Sequence, residues 1–419
     1  MIGVRARGVG TGPGRGLLAR VEEHIGLSAN GLAVVGFAVL GWITARLLGG
    51  RSLYLLVYIS LILLGVAWTI ARRWRPVTAE RSRLPLRIRE GQTIAAEVTV
   101  SARRRLSAFI VEERLDDALG RPVRVPVGSV GPGRSLTHGY TLRPRRRGVF
   151  SVGPLEAEWT DPFGLSRSRQ PLLGRTEIIV HPSTELVVDR PTARKWEDPP
   201  VRPPVSRAWP SGFEFYGMRD YIAGDDPRRV VWRASARLGR LVVREFEQGI
   251  TDRIVVLLDT DDSWHRPGEV SDTFEAAVRC AASLAARHLQ DGFSVGVEAN
   301  GHALATDLRG PRARIPLLDS LARVGRERAP LSDAVDRVLR ARRGVAHHIV
   351  VTPHLDEAAA TRLRLIVERG GSVLVAAVVW EESDVMTVRR GIELGAMVVE
   401  VRPGAALATV LSHAVGGGR

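Results

Sequence analysis

The stretch IVVLLDTDDSW, residues 254–264, is an apolar run that ends in three carboxylates and a hydroxyl. Ile254, Val255, Val256, Leu257 and Leu258 show no alternation of apolar and polar residues, as in a strand covered on both faces of a parallel sheet. Such sheets gather ligands outside the carboxyl ends of their strands, so Asp259, Asp261, Asp262 and Ser263 are expected at that edge. Oxygen ligands of this kind suit a hard cation such as Mg²⁺, but one loop seldom supplies a whole coordination shell.

Downstream, strands alternate with helices. A helix is expected over about 271–290, a hairpin from FSVGVEAN and HALATDL, then helices near 312–323 and 331–342. HHIVVTPH, a helix over 356–369, GSVLVAAVVW, AMVVEVRP as a last strand and a terminal helix complete the series. The succession predicts a doubly wound α/β domain over 250–419. Cys280, the single cysteine, lies on an apolar helical face with Phe274, Val278 and Ala281–Leu284 and reads as core packing, since no positioned base accompanies it. A lone cysteine also excludes an intrachain disulfide.

Upstream of this domain the pattern changes several times. After a basic segment over 1–30, GLAVVGFAVLGWITARLL (31–48) and LYLLVYISLILLGVAWTIA (53–71) are each close to the length a helix needs to cross the hydrocarbon layer, and together they predict a transmembrane hairpin over 31–75. Arg5, Arg7, Arg15 and Arg20 precede it and Arg72, Arg73 and Arg75 follow, against Arg46 and Arg51 at the turn. The positive-inside rule therefore predicts a multi-pass protein of the cell membrane with both ends, and the bulk of the chain, in the cytoplasm. Over 84–189, short alternating segments separated by turn signals such as REGQ and GPGRS predict an all-β sandwich. A Pro-rich linker follows over 190–212.

The formal charge of +15 is carried almost wholly by arginine, Lys195 being the one lysine. Aromatic residues make up 5% and do not interleave with the arginines as base-stacking platforms would, so nucleic acid is not an expected partner. No GxxxxGK[ST] phosphate loop occurs.

The densest polar motif occupies 213–249, where Gly224, Asp225, Asp226 and Pro227 form a turn among Arg219, Arg228, Arg229, Arg233 and Arg237. Carboxylates beside several guanidiniums form bidentate pairs that fix a loop, which reads either as an anion or docking site or as a structural ion-pair cluster. The run R-D-Y-x-x-G-D-D-x-R-R-V-V-W-R-A-S-A-R from Arg219 to Arg237, followed by VVREFE and a strand ending in Asp, resembles the signature of the DUF58 family of bacterial proteins. RRGVFSVGPLEAEWTDPFGL (146–165) resembles that family's upstream stretch, and the N-terminal hairpin fits it too. The resemblance implies a C-terminal part like von Willebrand factor A domains and association with a MoxR-type AAA+ ATPase. Within the signature it draws attention to Arg219, Tyr221, Gly224, Asp225, Asp226, Arg228, Trp232 and Arg237, with Trp264 in the following loop as a candidate interface anchor.

In von Willebrand A domains a metal is held by D-x-S-x-S after the first strand, with a Thr and an Asp from later loops. Here Asp259 and Ser263 occupy the outer positions, but Asp261 stands where the first Ser belongs. Ala329 stands where the Thr is expected, with Ser332 and Asp333 displaced, and Pro353 where the Asp is expected, with Asp356 farther on. The loop Asp259, Asp261, Ser263 is thus a degenerate metal site, and no tight Mg²⁺ or Mn²⁺ binding and no other cofactor is expected. Asp259 and Ser263 are expected instead to cap a helix or bind the loop's own amides. Two functions follow: a membrane-anchored interaction or adaptor protein working with a MoxR-type ATPase in assembly or maturation of other proteins, or a metal-dependent hydrolase using the Asp259–Ser263 loop. The first is preferred because no base, nucleophile or complete metal shell accompanies the carboxylates.

Overall fold

The computed structural model describes residues 26–72, 75–187, 214–222, 230–247, 253–268, 270–341, 347–369, 371–381, 384–412 and 415–416. The chain divides into two compact units, Met1–His181 and Pro182–Arg419.

The first unit begins with two antiparallel helices, α1 (Ala29–Leu48) and α2 (Arg51–Arg72). Gly49 ends α1 in a left-handed conformation at φ 70°, its N–H returning to the Ala45 carbonyl, and the chain turns at once into α2. Ala38, Ala45, Val57, Ala67 and Ala71 are buried while Leu40, Leu47, Leu55 and Ile62 are more than half exposed. Small residues thus line the seam and large apolar ones face outward, a pattern suited to a hydrocarbon surrounding. Both helices are long and apolar enough to cross a membrane.

Nine strands follow: β1 (Val77–Arg81), β2 (Arg87–Arg89), β3 (Ile94–Ala102), β4 (Phe109–Leu115), β5 (Val123–Val127), β6 (Ser135–Leu142), β7 (Gly148–Thr160), β8 (Arg167–Leu173) and β9 (Thr176–His181). They form a sheet of order β1-β3-β6 and another of order β2-β9-β7-β4-β5, with β8 also on β7. Val98 and Val100 of the first sheet share a core with Phe109, Val111, Leu155 and Trp159 of the second, which makes the region a sandwich. One polar group crosses that core: Glu113, 1% exposed, pairs with Arg81 and accepts the Tyr140 hydroxyl at 2.6 Å. Burial pushes the Glu113 carboxyl up, against the pull of both partners.

The base of the helical hairpin is fastened to the loop between β7 and β8. Asp161 accepts the amides of Phe163 (2.8 Å) and Ser166 (2.6 Å), which shapes the loop. The Leu165 carbonyl then accepts the Ser28 amide at 2.9 Å, and the Gly26 carbonyl accepts the Arg167 amide at 2.9 Å and the Ser166 hydroxyl at 2.8 Å. Gly31 is required there, because a Cβ would lie 2.2 Å from the Leu165 carbonyl oxygen.

In the second unit the hairpin β10 (Glu214–Asp220) and β11 (Val242–Glu247), with α3 (Trp232–Leu238) between them, precedes a seven-stranded sheet. The sheet contains β12 (Arg253–Leu258), β13 (Ser294–Ala299), β14 (Ala303–Leu308), β15 (His347–Thr352), β16 (Ser372–Val378), β17 (Met397–Val401) and β18 (Val415–Gly416). Its order is β14-β13-β12-β15-β16-β17-β18, parallel except for the two edge strands. β12 is central, as its unalternating apolar run requires, with Val256 and Leu258 in the core of one face and Leu257 in that of the other.

On the first face lie α4 (Asp272–Gln290), α5 (Arg314–Arg323) and α9 (Leu407–Ser412); on the second lie α6 (Leu331–Arg340), α7 (Glu357–Glu368) and α8 (Val385–Glu393). The helix α8 is absent from the sequence reading. Parallel β16 and β17 need a crossover, but Gly391 interrupts the helical pattern of the segment. Its role is close packing, since a Cβ there would stand 2.7 Å from Val398 Cγ2. Residues 183–187, which the sequence reading places with the β-rich region, pack on this second unit: Val187 joins the core under α4, and Glu185 meets Arg279 (3.3 Å) and the Leu407 amide (2.6 Å).

Candidate functional site: the carboxyl edge of the central sheet

Asp259 follows β12 directly and is fully buried. Its Oδ1 accepts the Asn300 side-chain amide at 2.7 Å and the Asp261 backbone amide at 3.1 Å, while its Oδ2 accepts the Thr352 hydroxyl at 2.6 Å. Asn300 and Thr352 stand at the ends of β13 and β15, the two neighbours of β12, so strand order alone brings the three together. Burial pushes the Asp259 carboxyl up, while the hydroxyl and amide donors pull it back. Asn300 is held in turn by the Ala329 carbonyl at 2.8 Å. A hydroxyl and two amides thus occupy most of the roughly four acceptor positions of the carboxylate.

The rest of the loop is pinned around this centre. Asp261 Oδ1 accepts the Ser263 amide at 3.0 Å, so it is Asp261, with Asp259, that binds the loop's amides; Ser263 is exposed and only donates its backbone N–H. Asp262 pairs with Arg326 at 2.7 Å, and its amide reaches the Glu327 carbonyl at 2.8 Å. His265, 4% exposed, sits between the Asp259 carbonyl (3.0 Å) and the Thr273 hydroxyl (3.3 Å), and desolvation pushes its pKa down. Ser332 is buried at the start of α6, and Asp356 caps α7 by accepting the Ala359 amide at 2.6 Å, which gives that carboxylate a structural role.

Above the buried centre the surface is aromatic. Trp264, 48% exposed, stacks on His354 with ring centroids 3.6 Å apart and an interplanar angle of 16°. The His354 segment is held from behind: the Thr387 hydroxyl donates to the Pro353 carbonyl (2.9 Å), and Arg390 donates to the Leu355 carbonyl (2.6 Å). Exposed Val385 and Met386 begin the helix that makes those contacts. Arg266, in the Trp264 loop, and Glu381, in the loop after β16, stand 3.4 Å apart. Cys280 is remote from this chemistry, buried in α4, where desolvation pushes its thiol up to about 12.

Of the signature residues, Gly224, Asp225, Asp226 and Arg228 lie outside the described residues, as does the side chain of Arg219. Tyr221 donates its amide to the Leu241 carbonyl at 2.9 Å, while Trp232 and Arg237 are exposed on α3. Ser235 fastens α3 to β11 by accepting the Val242 amide at 3.0 Å. Asp220 and Arg240 form an exposed ion pair at 2.7 Å.

Residues 217–387, which take in this edge and the whole Arg219–Arg237 run, match the family described as "Protein of unknown function DUF58". They form a DUF58 region. No curated protein matches the chain. Among solved structures, the von Willebrand factor type A protein from Catenulispora acidiphila is 15% identical over 41% of this chain and 42% of its own, with a TM-score of 0.28. The CARDB domain of a Pyrococcus furiosus protein, solved in complex with di-metal ions, is 14% identical over 26% of this chain and 90% of its own, with a TM-score of 0.20. A β-glucosidase from Listeria innocua is 16% identical, and the chain spans 16% of its length at a TM-score of 0.16. Likenesses this slight say nothing of function. The DUF58 region is therefore interpreted from its own geometry.

Proposed function

We propose that the protein is a membrane-anchored adaptor whose DUF58 region docks a partner through the Trp264–His354 surface. The observation that carries this reading is a half-exposed tryptophan stacked on a hydrogen-bonded loop above a buried carboxylate held by its neighbours. Aromatic residues so presented anchor interfaces. Asp259, fully buried and hydrogen-bonded on both oxygens, is shut off from solvent and substrate, which disfavours the hydrolase reading of the same loop. The central β12 and the antiparallel edge β14 support reading the domain as von Willebrand A-like, with a hydrogen-bonded centre in place of the metal.

The partner by family resemblance is a MoxR-type AAA+ ATPase, and the process served is assembly or maturation of other proteins. The hairpin crosses the cell membrane with both ends inside, a reading supported by the arginine bias around it and by the apolar side chains that α1 and α2 turn outward. Affinity capture from native membranes, with the anchor intact, tests the partnership. A MoxR-type ATPase is expected to be retained by the wild-type chain and lost with Trp264→Ala at unchanged melting temperature. Retention by the folded variant would remove this surface from the account.

A further inference from the structure

At the opposite end of the same sheet a second feature stands apart from the docking edge. On the face covered by α6 and α7, a hollow of about 680 Å³ opens beside the last turn of α6. Its volume falls in the range of small-molecule sites, roughly 300–1,000 Å³. Val255 of β12 and Gly296 of β13 form its floor, with Ala305 of β14 and Ile366 of α7 at the sides. A strand covered on both faces ordinarily carries Val, Ile or Leu at such positions. Here the chain supplies Gly296, and the neighbouring edge strand adds Ala303 and Thr306, while Ala305, which also lines the hollow, packs against the core of the first face. A Cβ at Gly296 would meet nothing nearer than the Ala305 carbonyl oxygen at 3.5 Å, so backbone crowding does not demand this glycine. Gly296 and Ala303 leave the space open.

The rim is cationic. Arg337 is already engaged, by Glu298 at 3.2 Å and by the carbonyls of Asn300 (2.8 Å) and Ala299, and it fixes one wall. Arg253 shares a 3.3 Å contact with the half-exposed Asp307, while its Nε is buried with no hydrogen-bond partner. The Arg340 Nε reaches only the Asp336 carbonyl at 3.2 Å. Among the described residues no carboxylate pairs with Arg340 or Arg369. Among the described residues the one acid lining the hollow, Glu298, is the partner of Arg337.

We propose that this hollow binds a small organic anion: an apolar body lying on Val255, Gly296 and Ile366, with one carboxylate or phosphate held by Arg253, Arg340 and Arg369. Guanidiniums offer planar, paired donors to either acid. The proposal is independent of the adaptor reading, since it uses neither Trp264 nor the anchor. The test is calorimetric titration of the full-length protein in zwitterionic lipid nanodiscs, with protein-free discs as blank. The probes are 2-naphthoate, 2-naphthyl phosphate, neutral 2-naphthalenemethanol and inorganic phosphate.

One aryl anion or both are expected to bind at a single site about tenfold or more tightly than the alcohol or inorganic phosphate, the share of a charge-assisted hydrogen bond. The tighter of the two identifies the acid group. Gly296→Leu, which fills the floor, is expected to abolish binding, and exposed Arg369→Glu to weaken it about tenfold without changing the melting temperature. Should Gly296→Leu fail to fold, Arg369→Glu alone decides. Equal affinity for alcohol and anions, no aryl-anion binding at millimolar concentration, or unchanged binding in folded Gly296→Leu or in Arg369→Glu would overturn the proposal.

Discussion

Asp259, Asn300 and Thr352 show how a residue's role depends on neighbours far away in sequence. The carboxylate at the end of an apolar strand is legible in the sequence; its partners are not, because each closes a different strand and only the order β13-β12-β15 makes them adjacent. The sequence points to Pro353, one residue past the hydroxyl that matters, and to Ala329 and Asp356. Thr352→Val removes the donor to Asp259 Oδ2 and leaves a buried carboxylate short of a bond, at a cost of about 1–3 kcal/mol. Urea unfolding is expected to show that loss, with Thr352→Ser retaining most of the stability. His354 makes a prediction about pH. Burial first, then Arg390, lowers its folded-state pKa below the ordinary histidine value of 6.5, so the unfolded chain binds its proton more readily. Its contribution to stability is therefore present above pH 6.5 and lost as the pH falls through 6.5 towards the folded value. His354→Gln is expected to flatten that part of the stability–pH curve; an unchanged slope would show that other groups set it.

At the scale of elements, alternation and periodicity predict most strands and helices because burial imposes them. What escapes is an element defined by a close approach. The helix α8 is hidden by Gly391, and the loop Asp161–Ser166 reveals its purpose only when Leu165 is seen against Ser28 and Gly31. Two substitutions separate these effects. Gly31→Ala pushes a methyl group into the Leu165 carbonyl and is expected to speed hydrogen exchange at the Ser28 and Arg167 amides, leaving the second unit unaltered. Gly391→Ala meets Val398 at 2.7 Å and is expected to destabilise the α/β sheet by about 1–3 kcal/mol, read as an earlier denaturation midpoint.

For the whole molecule, the proposed reading joins the hairpin and the sheet edge: the hairpin as an anchor at a membrane surface, and the Trp264–His354 stack as the contact offered to a partner there. If the arginine bias sets the topology, protease added to intact cells leaves the region after residue 84 untouched and digests it once the cells are opened. Cleavage in intact cells would reverse the orientation. The most direct test of the account is capture from native membranes with the wild type and Trp264→Ala side by side. The account predicts that Trp264→Ala melts like the wild type yet fails to retain a MoxR-type ATPase. An ATPase held equally by wild type and Trp264→Ala would contradict it.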